Sequence, residues 1–191
     1  MRTLFARIFF RLSQGGLSWF LGGPSAVRKE TNGWLKLHAA EIRGNVLSVG
    51  SGTDEDGEGR KYRNYFKGCS SYKTSDMDKE FRCDLTLDIR AMPQIPEGSY
   101  ECVFCAGVLE HVDDFQSAFK EITRVLKHDG ILLLGVPFRQ AIHAAPYDYW
   151  RFTEEGVRYM LRENYEILEF KSMDDVIPSF PSAYWIKAKK R

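Results

Sequence analysis

The chain has few cysteines and no plausible disulfide framework among them. Four occur, Cys69, Cys83, Cys102 and Cys105, and with no secretory signal in view these thiols fit a reducing cytoplasm. Cys102 and Cys105 make a C-x-x-C, yet they lie in Tyr100-Glu-Cys-Val-Phe-Cys-Ala106, an apolar run that reads as a buried strand. Residues three apart on a strand point to opposite faces, which argues against a shared zinc ion or redox pair. No bound metal is expected.

Charge of one sign is also lacking, since 27 Lys and Arg stand against 26 Asp and Glu for a net +1. No global field therefore draws the chain onto nucleic acid by counterion release. The basic end Lys187, Lys189, Lys190 and Arg191 reads as a solvated tail. No apolar run is long and uncharged enough to span a membrane: Leu4, Phe5, Ile8, Phe9 and Leu12 fall at helical spacing, but Arg2, Arg7 and Arg11 interrupt them. With Leu17, Trp19, Phe20 and Leu21 beyond the Gly15-Gly16 break, this segment suits an amphipathic helix. Three uses stay open for it: folding over the domain, pairing two copies as a homodimer, or peripheral contact with the inner face of a membrane.

What is present is apolar material for one core. The 191 residues are 43% hydrophobic and 14% aromatic, which suits a single domain with terminal decoration. We read residues 1–43 as an N-terminal helical extension, with a helix over Pro24 to Arg43 weakened by Gly33, and residues 44–191 as the domain. From Asn45 onward short apolar runs alternate with helical patterns, the order of βα units. The predicted fold class is α/β and Rossmann-like, with a mostly parallel seven-stranded sheet flanked by helices. Strands are expected at Val46 to Val49, Ser71 to Ser75, Leu85 to Asp88, Tyr100 to Cys105, Ile131 to Val136, Tyr165 to Lys171 and Ala183 to Ala188. The clearest helix is expected over Asp114 to Lys127, where Phe115, Ala118, Phe119, Ile122, Val125 and Leu126 make one stripe and Asp129-Gly130 marks the stop.

Chemistry begins at Val46-Leu-Ser-Val-Gly-Ser-Gly-Thr53, a buried strand ending in a tight glycine turn. Glycine there allows unusual backbone angles and lets a ligand lie against the main chain. A lone G-x-G is weak. Its position strengthens it, because Asp76 closes the second strand, where a carboxylate accepts both ribose hydroxyls of an adenosine. Asp88 ends the next alternation and is placed to reach an adenine amino group, with a surface turn as the equal alternative. All these ends share the carboxyl edge of one sheet, so they converge by topology.

These residues resemble class I S-adenosylmethionine-dependent methyltransferases, in particular methyltransferase type 11, from about Val46 to Leu161. Beside the glycine turn the likeness rests on Val108-Leu-Glu-His-Val112, a "VLEHV" turn, and on Val125-Leu-Lys-His-Asp-Gly130, which stands for the family's "VLKPGG". The resemblance implies S-adenosylmethionine as cofactor, with Gly50, Ser51 and Gly52 beside its methionine part. It further implies Asp76 on the ribose with Met77 beside it, Asp88 and Ile89 near adenine, and Ala106 and Leu109 along its flank. Ser48 stands where the family usually has an acidic residue, and Asp54 replaces its third glycine.

The stretch His143-Ala-Ala-Pro-Tyr-Asp-Tyr-Trp-Arg-Phe-Thr153 looks like an "HxxPxDYWRFT" segment of a subset of these proteins, many of them tied to surface glycans or the cell envelope. It lies where a lid over the acceptor would be, and equally reads as a turn in which Trp150 and Phe152 pack and Thr153 caps a helix over Glu154 to Arg162. A sulfonium methyl is already activated, so the enzyme aligns an acceptor and removes its proton. His111 and His143 are the candidate bases, with a hydrogen bond that fixes the turn as the alternative for His111; Asp148 is placed to orient a histidine or bind a sugar hydroxyl, while Tyr147, Tyr149 and Arg151 are candidates for holding the acceptor. The Asn/Asp-Pro-Pro-aromatic turn common in enzymes that methylate nucleic-acid bases is absent, and Cys105-Ala-Gly-Val108 stands there. The expected acceptor is therefore an oxygen on a small molecule or glycan, with no nucleic-acid partner. Two rivals are weighed beside this reading. A nicotinamide-dependent oxidoreductase is disfavoured because Glu55 occupies the third glycine of G-x-G-x-x-G, and a non-catalytic module of the same fold is kept open by Ser48.

Overall fold

A computed structural model describes residues 26–173 and 180–191. The amphipathic N-terminal segment lies outside the described residues. Helix α1 (Ala26–Ala39) leads into β1 (Gly44–Val49), followed by β2 (Cys69–Asp76), β3 (Leu85–Thr86) and β4 (Tyr100–Ala106). Helix α2 (Phe115–Val125), β5 (Leu126–Pro137), α3 (Glu154–Leu161), β6 (Tyr165–Met173) and β7 (Ala183–Lys190) complete the order. The seven strands form one sheet in the order β3-β2-β1-β4-β5-β7-β6. β1 pairs in parallel with both β2 and β4, while β7 runs antiparallel between β5 and β6, so the sheet is mixed at one side.

Strand alternation divides the core into two layers. Leu47, Val103, Cys105, Leu132 and Leu134 face α2 and α3, where Ala118, Ile122, Val157 and Leu161 cover them. Val46, Cys102, Phe104, Leu133 and Trp185 face the other way, onto Trp34, Leu35 and Ala39 of α1. Cys102 and Cys105 thus sit in different layers of the core, both as free thiols. Polar ties fasten α1: the Trp34 indole donates to Glu169 at 2.6 Å, and His38 lies 3.1 Å from the same carboxylate.

Two expected boundaries are corrected. The helix predicted to Lys127 ends at Val125, because Leu126 turns extended and pairs with Tyr100 as the first residue of β5. Leu126 is buried, so the helical stripe and the strand share one apolar signal there. The register then jumps from Tyr100↔Leu126 to Cys102↔Ile131, leaving Lys127 to Gly130 opposite Glu101 alone. Asp129, at φ 60, makes this irregularity inside β5 rather than a stop before it. The strand predicted over Leu85 to Asp88 keeps only two ladder residues, since the Asp88 carboxylate accepts from the Arg90 backbone at 2.9 Å and turns the chain away.

Leu134 lies in β5 with 0% exposure, between the helical layer and two strand neighbours. Leu134→Ala is expected to lower the unfolding free energy by about 2 to 5 kcal/mol in urea titration with an unchanged m value. A loss below about 1 kcal/mol would contradict this packing.

Candidate active site

The carboxyl edge of β1 is shaped by what cannot fit there. Gly50 turns the chain at φ 58, and a Cβ on it would stand 2.6 Å from a methyl of Val108. Only glycine meets both demands. Beyond it Ser51 is held from three sides: its amide donates to the Ser75 carbonyl at 2.8 Å, and its hydroxyl donates toward the Ser48 carbonyl and Oγ at 2.9 and 2.8 Å. The Ser75 hydroxyl also donates to the Ser48 carbonyl, at 2.9 Å. Ser48, where the resembled family carries a carboxylate, thus belongs to a buried hydroxyl network that closes β1 onto β2. Asp54, in place of a third glycine, itself takes a left-handed φ of 57. Aspartate tolerates that region better than most residues. Its carboxylate accepts from the Tyr72 hydroxyl at 2.8 Å and pairs with Arg63 at 3.4 Å, and burial beside this carboxylate raises the Tyr72 pKa well above the usual phenol range.

Asp76 ends β2 directly across this turn. Its Oδ2 accepts from the Gly52 amide at 3.0 Å, and its Oδ1 from the Asp78 amide at 3.0 Å. Each carboxylate oxygen retains a second acceptor site. Beside it Met77 is 66% exposed and Phe81 also stands open to solvent. A Cβ on Gly52 would meet nothing nearer than the Phe81 ring at 3.9 Å, and the Cys83 thiol donates to the Gly52 carbonyl at 3.5 Å. The edge therefore offers bare backbone, a fixed carboxylate and apolar surface within one turn.

The remaining cofactor candidates lie further along the same edge. Ile89 and Leu109 are buried in the helical-side core, and Ala106 is half-buried at the end of β4. Asp88 is engaged by the Arg90 guanidinium, with Nε at 3.0 Å and Nη2 at 2.7 Å, and these bonds hold its carboxyl below the usual carboxylate range. Arg90 also reaches Asp113 at 2.7 Å, so Asp88 belongs to a surface ion-pair chain.

The acceptor-side candidates come together where the 143–152 segment folds over the turn after β4. The Glu110 carbonyl accepts from the Tyr149 amide at 2.8 Å, and the Trp150 indole donates to the Val112 carbonyl at 2.8 Å. Asp148 and Arg151 make a bidentate pair at 2.7 and 2.8 Å, and Asp148 also accepts from the His143 amide at 2.8 Å. The guanidinium bonds hold the Asp148 carboxyl far below the usual range. Arg151 donates further to the carbonyls of Gln140 and Ala141 at 3.2 and 3.1 Å. Asp148 and Arg151 are thus spent on fastening the segment. Tyr147 and Tyr149 project outward, and Thr153 caps α3 by accepting from the Gly156 amide at 3.1 Å.

His111 and His143 meet edge to face with ring centroids 4.9 Å apart. His111 Nδ1 bonds the Tyr147 carbonyl at 2.7 Å, and His143 Nδ1 bonds the Ala141 carbonyl at 3.0 Å. A carbonyl can only accept, so both rings carry hydrogen on Nδ1, which in the neutral ring leaves the lone pair on Nε2. Burial lowers the His111 pKa, which favours this neutral form. Glu110, left without a role in the sequence reading, joins them: its carboxylate is 3% exposed, and burial pushes its pKa up to about 7. An acidic residue next to His111 in "VLEHV" was the available signal, and its inward direction was not. Among the described residues, an open cleft of about 500 Å³ at the ends of β5 to β7, lined by Phe138, Glu154, Ser172 and Tyr184, touches neither the glycine turn nor the histidines.

Residues 60–134 match the family model described as a methyltransferase domain. Over this stretch the chain is similar to that domain. Its fold is that of solved S-adenosylhomocysteine-bound methyltransferases. The 1,6-didemethyltoxoflavin-N1-methyltransferase of Burkholderia thailandensis, solved with S-adenosylhomocysteine, superposes with TM-score 0.65 at 16% identity over 99% of this chain and 88% of its own. The N-methyltransferase NodS of Bradyrhizobium japonicum WM9, also solved with S-adenosylhomocysteine, gives 0.66 at 13% identity over 97% of both chains. The [4+2]-cyclase SpnF gives 0.61 at 17% identity over 82% of this chain and 80% of its own. At such identities these likenesses speak for the fold of the domain. No curated protein matches this chain by sequence.

The raised pKa of Glu110 sets a sign for stability. The unfolded carboxyl releases its proton near its ordinary 4.5 and the folded one near about 7. Between these values the folded state holds more protons, so this residue makes unfolding easier as pH rises through the window. Glu110→Gln is expected to flatten that pH dependence in thermal melts between about pH 5 and 8. An identical slope in the variant would show that Glu110 does not titrate there.

Proposed function

We propose that this chain is a methyltransferase that binds S-adenosylmethionine at the β1–β2 edge and methylates an oxygen of a small-molecule or glycan acceptor. The observation that carries the reading is Asp76, held against the Gly52 amide with free acceptor sites beside exposed Met77 and Phe81. A ribose with two hydroxyls fits such a carboxylate, an adenine face fits the apolar side chains, and the side-chain-free Gly52 leaves room for a ligand against the backbone. The cofactor, when bound, supplies an activated methyl on a sulfonium. Gly50, Ser51 and Gly52 would border its methionine part, and Ala106, Leu109, Asp88 and Ile89 the remainder of its outline.

Acceptor chemistry falls to the turn after β4 and the segment over it. The Nε2 lone pairs of His111 and His143 suit removal of a hydroxyl proton, a contribution of about a hundredfold to ten-thousandfold in rate. Tyr147 and Tyr149 offer exposed ring faces of the kind that stack on sugars, and the Asp148–Arg151 pair keeps them in place. Near-neutral charge gives no support to a nucleic-acid acceptor. The four free cysteines suit a reducing cytoplasm. Among the described residues no helix is long and apolar enough to cross a membrane. Peripheral membrane contact or pairing of two copies would rest on the N-terminal segment alone.

Calorimetry with S-adenosylmethionine is expected to show binding, and Asp76→Ala to weaken it by about 2 kcal/mol, about thirtyfold in Kd. Unchanged affinity in a folded variant would remove Asp76 from the site. Release of S-adenosylhomocysteine with a panel of hydroxylated small molecules and sugars would identify the acceptor class.

A further inference from the structure

We infer that Glu110, His111 and His143 form a binding site for one divalent transition-metal ion. Each of the three offers a ligand atom, and these atoms all lie within 4.8 Å of one another. Two imidazoles and a carboxylate are a donor set suited to zinc and its first-row neighbours, and three protein ligands leave a position open for an oxygen.

Two independent features favour such an ion. The Glu110 carboxylate faces His111, with Oε1 3.9 Å from Nε2, and its other oxygen, Oε2, is buried with no hydrogen-bond partner among the described residues. A buried carboxylate oxygen without a partner is costly, and a cation removes that cost. The second feature is the fixed tautomer of both rings. His111 and His143 each spend Nδ1–H on a backbone carbonyl, at 2.7 and 3.0 Å, which is how outer-shell carbonyls orient metal-binding imidazoles through Nε2. Tetrahedral donors about 2.1 Å from a metal stand roughly 3.4 Å apart, so side chains whose ligand atoms lie within 4.8 Å need to close by up to about 1.4 Å. The nearby Arg151 charge does not oppose the ion alone, because Asp148 neutralises it in a bidentate pair.

This deepens the acceptor-side assignment of the two histidines and, in its catalytic meaning, rests on it. With the ion bound, both rings are ligands instead of bases. The open position then takes the acceptor oxygen, whose hydroxyl proton is acidified by the metal and leaves to solvent before the methyl is accepted.

The test uses the full chain stripped of metal with a chelator, then titrated with Zn²⁺ against a chromophoric competitor, with Co²⁺ absorption followed in parallel. One ion per chain is expected. Glu110→Gln and His111→Gln should each weaken binding by at least about tenfold. His128→Ala, at an exposed residue away from the cluster, should leave the affinity as it is. His111→Gln, at a half-exposed position, serves if Glu110→Gln does not fold. No binding to the wild-type chain, or binding unaffected by the cluster variants, would overturn the site. Cofactor calorimetry on the metal-free protein is read separately. Cofactor binding without zinc binding removes the metal site and leaves methyl transfer standing, and zinc binding without cofactor binding does the reverse.

Discussion

The approach of β1 to the turn after β4 leaves no space for a side chain at Gly50, since Val108 fills the place where a Cβ would be. That steric limit ties together the two halves of the candidate active site. On one side the chain leaves Gly50 into Ser51 and Gly52, which bond across to Ser75 and Asp76 of β2. On the other, Val108 opens the segment that carries Leu109, Glu110 and His111. Because both strands are central and parallel in the sheet, a shift at this contact would move the cofactor edge and the histidines together.

Polar groups near the site are divided between those that are spent and those that are free. Ser48, Ser51 and Ser75 satisfy one another, and Asp148 and Arg151 fasten the 143–152 segment. Such closed arrangements give rigidity, because each buried group already has its partners. Asp76, with lone pairs to spare, and Glu110, with an oxygen lacking a partner, are of the other kind. Ligand chemistry is expected at the free groups, and positioning at the spent ones.

The α/β order, the strands and the glycine turn were legible because they rest on local patterning and on topology. The placement of Cys102 and Cys105 in separate layers followed from alternation alone. The end of α2 was not legible, since Leu126 satisfies the helical stripe and the strand equally, and only pairing with Tyr100 decides between them. Asp54 read as a departure from a glycine pattern, although its left-handed backbone preserves the turn and Tyr72, eighteen residues away in sequence, anchors its carboxylate. For the 143–152 segment the sequence supplied the residue types but not their directions. Arg151 and Asp148 turn to each other, while Glu110, passed over as one letter of a motif, turns inward to the histidines. Long-range partners of this sort have no periodic signature.

The most direct test is a crystal structure of the full chain soaked or grown with S-adenosylhomocysteine at saturating concentration. The adenosyl group is expected between the Gly50 to Gly52 turn and β2, with both ribose hydroxyls within hydrogen-bonding distance of the Asp76 carboxylate. Ligand bound elsewhere, or an accessible β1–β2 edge left without it, would contradict the account.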